Sequence, residues 1–301
     1  MKITLISHNN EGVDNSAKKL AKYITENYGF ESNILDFRNY LWEREAHYNE
    51  VGEIVIPRVT RMGRVTSSII VNELENLGKF IFPRTILEDP NLGNKNYQQS
   101  IIKHSGIMTC MDTFTIVNST DVKKIVDSGR LKFPFIIKPN SSSEGRGIHL
   151  VNSLEEWEKL VPALNTEEKK FFTFSIQNFI PNNHDYRIYV IGDRAIGAMK
   201  RIRSSGFLNN FSQGGSVEEV KLDSEIGQKI SKYAVEICRY ANIEVAGIDI
   251  LEDLDGNLYF MEINTSAQWE GLELATGVDV SKIFIDECLR KYNLWLENKN
   301  K

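Results

Sequence analysis

Two residues near the carboxyl end, Asp255-Gly256, constrain this chain more than any other feature. An Asp-Gly pair between apolar runs is a strong signal for a two-residue hairpin loop, and the runs here are 245–251 and 258–263. Such a loop pairs Leu254 with Asn257 and sets Asp249 directly opposite Glu262. Side chains alternate along a strand, so Asn264 falls on the same face as Glu262. The flanks are otherwise apolar on both faces: Val245, Ile248, Ile250 and Leu251 on one strand, Leu258, Phe260, Met261 and Ile263 on the other. Opposed carboxylates in such strands repel and lose their hydration, so something cationic must sit between them. Oxygen donors without His or Cys suit Mg²⁺, which takes few protein oxygens alongside phosphate and water. The plainer alternative is an edge hairpin whose charges face solvent or meet an arginine.

Three further segments carry candidate chemistry. Lys138 ends the apolar stretch 133–137, and a small-residue loop with Ser143, Gly145 and Gly147 follows. Small residues let backbone N–H groups close over phosphates, and a lysine neutralises them as a point charge. Neither a Walker A loop nor a dinucleotide fingerprint is present, since Leu150 stands where the third glycine belongs; a plain surface turn is the alternative. The strand-like run through Gln177, Asn178, Phe179 and Ile180 precedes Pro181 and offers backbone groups to an adenine edge, with Asp185 near enough to hold ribose hydroxyls. An ordinary core strand and turn also explains it. Lys200, Arg201 and Arg203, then Asn209 and Asn210, form either a clamp on a transferring phosphoryl group or a solvated basic edge.

The rest of the sequence sets the frame. Its 301 residues suggest roughly two domains by length alone. Strand-like runs at 3–6, 34–37 and 53–57 alternate with helical patterns, which predicts an α/β layer with parallel strands, similar to a flavodoxin-like or Rossmann-like half. Its first turn, 8–12, lacks GxGxxG, so it reads as scaffold or substrate wall. A polar stretch at 88–94 marks a boundary, followed by a helix from about Lys95 to His104 and an α+β module to about 180. Ile226, Ile230, Tyr233, Ile237 and Ala241 recur at helical spacing and predict one packed helix. With 36 basic and 41 acidic side chains the net charge is -5, which argues against a nucleic-acid binder acting through global electrostatics. No apolar run approaches the roughly 20 residues of a membrane span. Three cysteines without CxxC spacing indicate neither a disulfide framework nor a zinc site, and point to a reducing, cytoplasmic setting.

Taken in order, these segments resemble the ATP-grasp superfamily, and within it the RimK-like ligases, which join a carboxylate to an amine through an acyl phosphate. The likeness is carried by Ile56-Pro57-Arg58, Asn94-Lys95, Ile137-Lys138, Gln177-Asn178-Phe179-Ile180, Asp185-Tyr186-Arg187, Lys200-Arg201, Ala246-Gly247-Ile248-Asp249, Met261-Glu262-Ile263-Asn264 and Thr276-Gly277-Val278-Asp279. The resemblance implies an ATP-grasp fold in three parts: an N-terminal flavodoxin/Rossmann-like domain at 1–92, a central lid subdomain at 93–180 and a C-terminal subdomain with the metal site at 181–301.

By the same resemblance Lys95 and Lys138 bracket ATP, the loop 141–147 is the flap over its phosphates, and Gln177 to Ile180 is the adenine hinge. Asp185 contacts ATP, Arg201 and Asn210 lie near the γ-phosphate, and Asp249, Glu262 and Asn264 are the magnesium ligands. Arg187, Arg203, Gln268 and Trp269 are expected toward the substrates. ATP and Mg²⁺, two ions with Mn²⁺ as a substitute, are the implied cofactors. The implied partners are an amino acid, most typically glutamate, and a peptide, a protein tail or a small carboxylate, with the chain acting as a homo-oligomer and without nucleic acid or membrane. Three positions depart from the pattern: Asn178 replaces the usual hinge acid, Leu208 stands where an arginine is frequent, and 266–271 carries Trp269, which reshapes the acceptor pocket. The competing reading is an ATP-binding module without ligase activity.

Overall fold

The computed structural model describes residues 1–7, 15–36, 50–59, 64–116, 120–139, 147–171, 174–203 and 215–299, and three sheets follow one another along it. The first holds β1 (Lys2–Ser7), β2 (Glu31–Asp36), β3 (Ile54–Pro57) and β4 (Phe80–Ile81) in the order β2-β1-β3-β4, every pairing parallel. Strands covered on both faces read as unbroken apolar runs rather than alternations, and all of β3 is buried. Helices α1 (Asn15–Tyr23) and α2 (Arg64–Asn76) accompany this sheet. After α3 (Thr85–Glu88), α4 (Lys95–Ser105) starts where the Asn94 side chain accepts from Asn96 N–H at 2.9 Å and Tyr97 N–H at 3.2 Å, an N-cap.

The second sheet, in the order β5-β8-β6-β7, is antiparallel and comprises β5 (Thr113–Ile116), β6 (Phe135–Pro139), β7 (His149–Val151) and β8 (Phe174–Asn178). Helices α5 (Thr120–Asp127) and α6 (Leu154–Phe171) bring Val122 and Trp157 onto Phe135, Ile137, Phe174 and Ile176. Lys138 and Gln177 sit on the opposite face. The third sheet, also antiparallel, runs β11-β10-β9-β12-β13 through β9 (His184–Ile191), β10 (Arg194–Ile202), β11 (Ser216–Val220), β12 (Val245–Glu252) and β13 (Leu258–Asn264).

One face of this sheet is apolar. Helix α7 (Glu225–Tyr240) lays Ile230, Ala234 and Ile237 on Ile188, Val190, Ile248 and Ile250, as the helical spacing predicts. The other face turns toward the first sheet. Helices α8 (Glu270–Thr276) and α9 (Val280–Lys299) fill the gap, so that Leu272 and Phe284 share a core with Leu5, Phe80 and Tyr189. Although α4 follows the 88–94 boundary, it lies against β13 of the third sheet. Among the described residues no helix is long and apolar enough to cross a membrane.

The hairpin reaches its expected pairing by an unexpected route. Asp253 N–H donates to Asn257 O at 3.0 Å and Gly256 sits at φ 83°, which makes a three-residue loop of Leu254, Asp255 and Gly256. Asp253 organises it by accepting from Asp255 N–H at 2.9 Å and Asn257 N–H at 2.8 Å. The ladder therefore starts one residue out of the two-residue register, with Glu252 opposite Leu258 and Leu251 opposite Tyr259. A bulge at Met261 then inserts one residue, and beyond it Asp249 faces Glu262. Gly256→Ala forces a β-carbon into a left-handed residue and should lower stability by about 1 kcal/mol, read as a shift in the urea midpoint.

Candidate active site

The face of the third sheet opposite α7 carries its charges in a checkerboard. Antiparallel pairing sets Arg201 opposite Asp185, Arg187 opposite Asp249, and Asp249 opposite Glu262. Arg187 grips Asp249 with both ends of its fork, Nε to Oδ1 and Nη2 to Oδ2, each at 2.7 Å. Arg201 donates from Nε to Asp185 Oδ1 at 2.6 Å and reaches Asp249 Oδ2 with Nη2 at 3.0 Å. Asn264 Nδ2 adds a bond to Asp249 Oδ2 at 3.2 Å. From α4, Lys95 Nζ meets Glu262 Oε2 at 2.5 Å. These three cations and three carboxylates balance.

Burial makes the pairing obligatory. Asp249 is 4% exposed, Asp185 2% and Arg201 6%, and an unpaired charge at such depth is strongly destabilising. Burial pulls the Asp249 carboxyl upward, yet the Arg187 and Arg201 guanidinium groups outweigh it and hold it at about 2. Asp249 is therefore ionised at neutral pH.

The oxygen set chosen from sequence, Asp249, Glu262 and Asn264, converges on neighbouring positions of β12 and β13. Its chemistry fits a hard divalent ion: two carboxylates, one amide and no softer donor. Among the described residues no group of three His, Cys, Asp or Glu side chains is arranged for a metal. Asp249 already accepts four hydrogen bonds, about the capacity of a carboxylate. An ion held by Asp249 would take the place of one of these donors.

Other sequence candidates fall differently. Arg187 turns to Asp249 rather than to an open substrate surface. Asp185, expected at the ribose, is buried and spent on Arg201, because a buried guanidinium needs a carboxylate opposite. Arg203 Nη2 donates to Asn182 O. Trp269, expected to wall the acceptor pocket, is 1% exposed: its ring packs near Phe284 and under Arg58, whose guanidinium carbon lies 4.5 Å from the ring centroid. Gln268 beside it is exposed.

At the hinge, Gln177 is buried with Nε2 on Met111 Sδ at 3.3 Å. Asn178 accepts from Lys132 N–H at 2.8 Å, Phe179 N–H donates to Pro134 O at 3.2 Å, and Ile180 O accepts from Asn182 Nδ2 at 2.9 Å. Lys138 is half-buried opposite Ser175 on β6, and Gly147 takes φ 71° just before β7. Ser143, Gly145 and Asn210 lie outside the described residues. A cavity of about 590 Å³ opens beside the hinge, lined by Phe114, Arg130, Lys132, Phe133, Pro134 and Phe179, with no member of the charged cluster on its wall.

Sequence reasoning gave no role to three buried residues that shape the site. Gln98 and Gln99 follow Lys95 on the inward stripe of α4, a spacing visible in the sequence. Arg58, 1% exposed at the end of β3, donates from Nη2 to Ser16 Oγ and to Ala267 O, both at 3.0 Å. It thereby ties the first sheet to the turn after Asn264. That turn also closes on Gly247, where a β-carbon would meet Ala267 Cβ at 2.9 Å.

A family model described as a RimK-like ATP-grasp domain matches residues 94–288. The chain belongs to the RimK-like ATP-grasp family. The tetrahydromethanopterin:alpha-L-glutamate ligase of Methanococcus maripaludis is 33% identical over 220 residues, 72% of this chain and 71% of that protein. Among solved structures, a D-alanine–D-alanine ligase from Bacillus anthracis superposes with a TM-score of 0.73 at 17% identity, covering 100% of both chains. The ATP-grasp ligase PsnB complexed with minimal precursor gives 0.66 at 16%, covering 96% of this chain and 98% of PsnB. At that identity both show the shared ATP-grasp fold.

Arg187→Ala leaves Asp249 with half its partners and should cost about 3–5 kcal/mol, read by urea denaturation; Arg187→Lys, lacking the fork, recovers only part. The lowered Asp249 value also has a sign. A carboxyl depressed in the folded chain stabilises above its unfolded value of about 3.9. That contribution should fall away as the pH drops from about 4 toward about 2, and a pH series of urea midpoints with the Asp249→Asn variant as control reads it.

Proposed function

We propose that this chain is an ATP-dependent carboxylate–amine ligase that adds an amino acid, glutamate or one like it, to a peptide, a protein tail or a small carboxylate. The observation that carries the reading is the oxygen trio Asp249, Glu262 and Asn264 set among Lys95, Arg187 and Arg201. In this proposal a carboxylate oxygen attacks the γ-phosphorus of ATP and ADP leaves. The amine then attacks the acyl carbon, phosphate departs and the amine loses a proton. Phosphoryl transfer asks the protein for positioning and charge neutralisation rather than a covalent nucleophile.

The roles follow from side-chain chemistry and family membership. Lys95 and Lys138 bracket the polyphosphate, Arg201 faces the transferring group, and the segment 177–180 receives adenine through backbone groups. Asp249, Glu262 and Asn264 would hold two Mg²⁺ ions, for which Mn²⁺ would substitute; when bound, the metal would screen the phosphate charge. The curated relative supports a glutamate donor, as its name records that amino acid. A peptide acceptor is supported by PsnB, whose structure holds a precursor.

Purified protein incubated with ATP, Mg²⁺, an amino-acid pool and cell extract should yield a product heavier by one amino-acid residue in mass spectrometry, with ADP released in step. ATP binding without ADP formation over a broad panel of amines and carboxylates would instead indicate a nucleotide-binding module. Glu262→Gln keeps the shape and removes one charge from the trio. It should lower ADP formation about 100-fold or more, measured by a coupled assay on protein shown to be folded by circular dichroism, because Lys95 loses its Glu262 carboxylate partner.

A further inference from the structure

β13 is the outer strand of the third sheet, and an outer strand exposes a row of backbone N–H and C=O groups that no neighbouring strand satisfies. In this chain the row lies against α4, and two glutamines stand in for most of the missing strand, beside a backbone bridge at Cys110 where Phe260 N–H donates to Thr109 O at 2.8 Å. Gln98, 0% exposed, donates from Nε2 to Ile263 O at 2.9 Å and Leu92 O at 2.6 Å, while its Oε1 accepts from Ile263 N–H at 2.9 Å. Gln99 donates from Nε2 to Met261 O at 2.9 Å and Phe260 O at 3.2 Å. Carbonyls fix the nitrogen ends and an N–H fixes the oxygen of Gln98, so the network assigns both amides.

These bonds fall on the residues that decide where Glu262 points. Regular strand carbonyls alternate between edges, yet Phe260 O and Met261 O meet the same amide nitrogen, as a bulge allows. Without the bulge the register set by the hairpin loop would continue and place Asp249 opposite Met261. Glu262 would then turn to the face that α7 covers, since a one-residue slip inverts every side chain. Gln99 bonds the bulge and Gln98 the residue between Glu262 and Asn264.

We infer that Gln98 and Gln99 are positioning residues for the metal ligands, holding β13 so that Glu262 and Asn264 present their oxygens beside Asp249. The inference rests on the proposed metal site. Its test is a Mn²⁺ titration of the full chain in the presence of ADP, followed by electron paramagnetic resonance, with ADP affinity measured separately without metal. Gln99→Met removes both bonds to the bulge, and Gln98→Glu keeps the acceptor for Ile263 N–H but loses the donor. Folded variants should bind Mn²⁺ at least about 10-fold more weakly while metal-free ADP affinity stays within about twofold. Unchanged Mn²⁺ affinity in a folded variant, or an equal loss of both affinities, overturns the inference. Should Gln99→Met fail to fold by circular dichroism, Gln98→Glu decides.

Failure of the ligase reading is distinguishable. Parent protein that takes up Mn²⁺, with the expected loss in the variants and no ligation by any of them, supports the glutamines and overturns the ligase alone. Parent protein that takes up no Mn²⁺ overturns the metal reading and this inference together.

Discussion

Asp249 carries a full negative charge, 4% exposed, in the middle of a strand whose neighbours are Ile248 and Ile250. Nothing in an apolar sheet tolerates that unless cations are built in beside it. Arg187, directly opposite on β9, supplies the fork, and Arg201, one strand further, reaches across Asp185 to the same carboxylate. Because strand side chains alternate, this choice commits the whole sheet. Every charged position of the cluster falls on one face, and the other is free to bury Ile188, Val190, Ile248 and Ile250 under α7.

The charged face is in turn closed by elements distant in sequence. Helix α4 brings Lys95 to Glu262 and two glutamines to the strand edge. The turn after Asn264 presses Ala267 onto Gly247, and Arg58 fastens that turn to the first sheet through Ala267 O and the Trp269 ring. A tryptophan in that place anchors two units rather than shaping a cleft. The position of the first sheet relative to the oxygen trio is thus set by a buried cation, two hydrogen bonds and a stacked ring, with Phe284 and Leu272 packed behind.

How much of this was legible in the sequence varies residue by residue. Opposition of Asp249 and Glu262 could be read from Asp255-Gly256, but through two offsets that cancel: the loop has three residues and Met261 is a bulge. A pairing rule applied to a short loop cannot see a bulge, because the bulge is fixed by groups outside the hairpin, Gln99 among them. The apolar stripe of α7 was readable because helix packing is periodic. Arg187 and Arg201 were visible as cations, whereas their partners depend on strand order, which a local pattern does not contain. The plainer alternative, charges that meet an arginine, describes Asp249 in the structure as well as the oxygen set does, since hard oxygens attract either kind of cation. Arg58 had no local signal as a clamp, since its partner Ala267 lies 209 residues away.

The balance of charge explains why nucleotide and metal belong to one event on the proposed reading. Lys95 and Arg201 are engaged by Glu262, Asp185 and Asp249 in the structure, so phosphates that draw on these cations strip buried carboxylates of their partners. A divalent ion restores the neutrality that the phosphates remove, and conversely an ion alone would leave arginine and lysine charges facing it. Each ligand therefore raises the affinity for the other, by the same factor in both directions. The third donor fits this accounting. A carboxylate in place of Asn264 would add a charge that the cations on this face do not match, whereas the amide contributes an oxygen donor and leaves the trio at minus two.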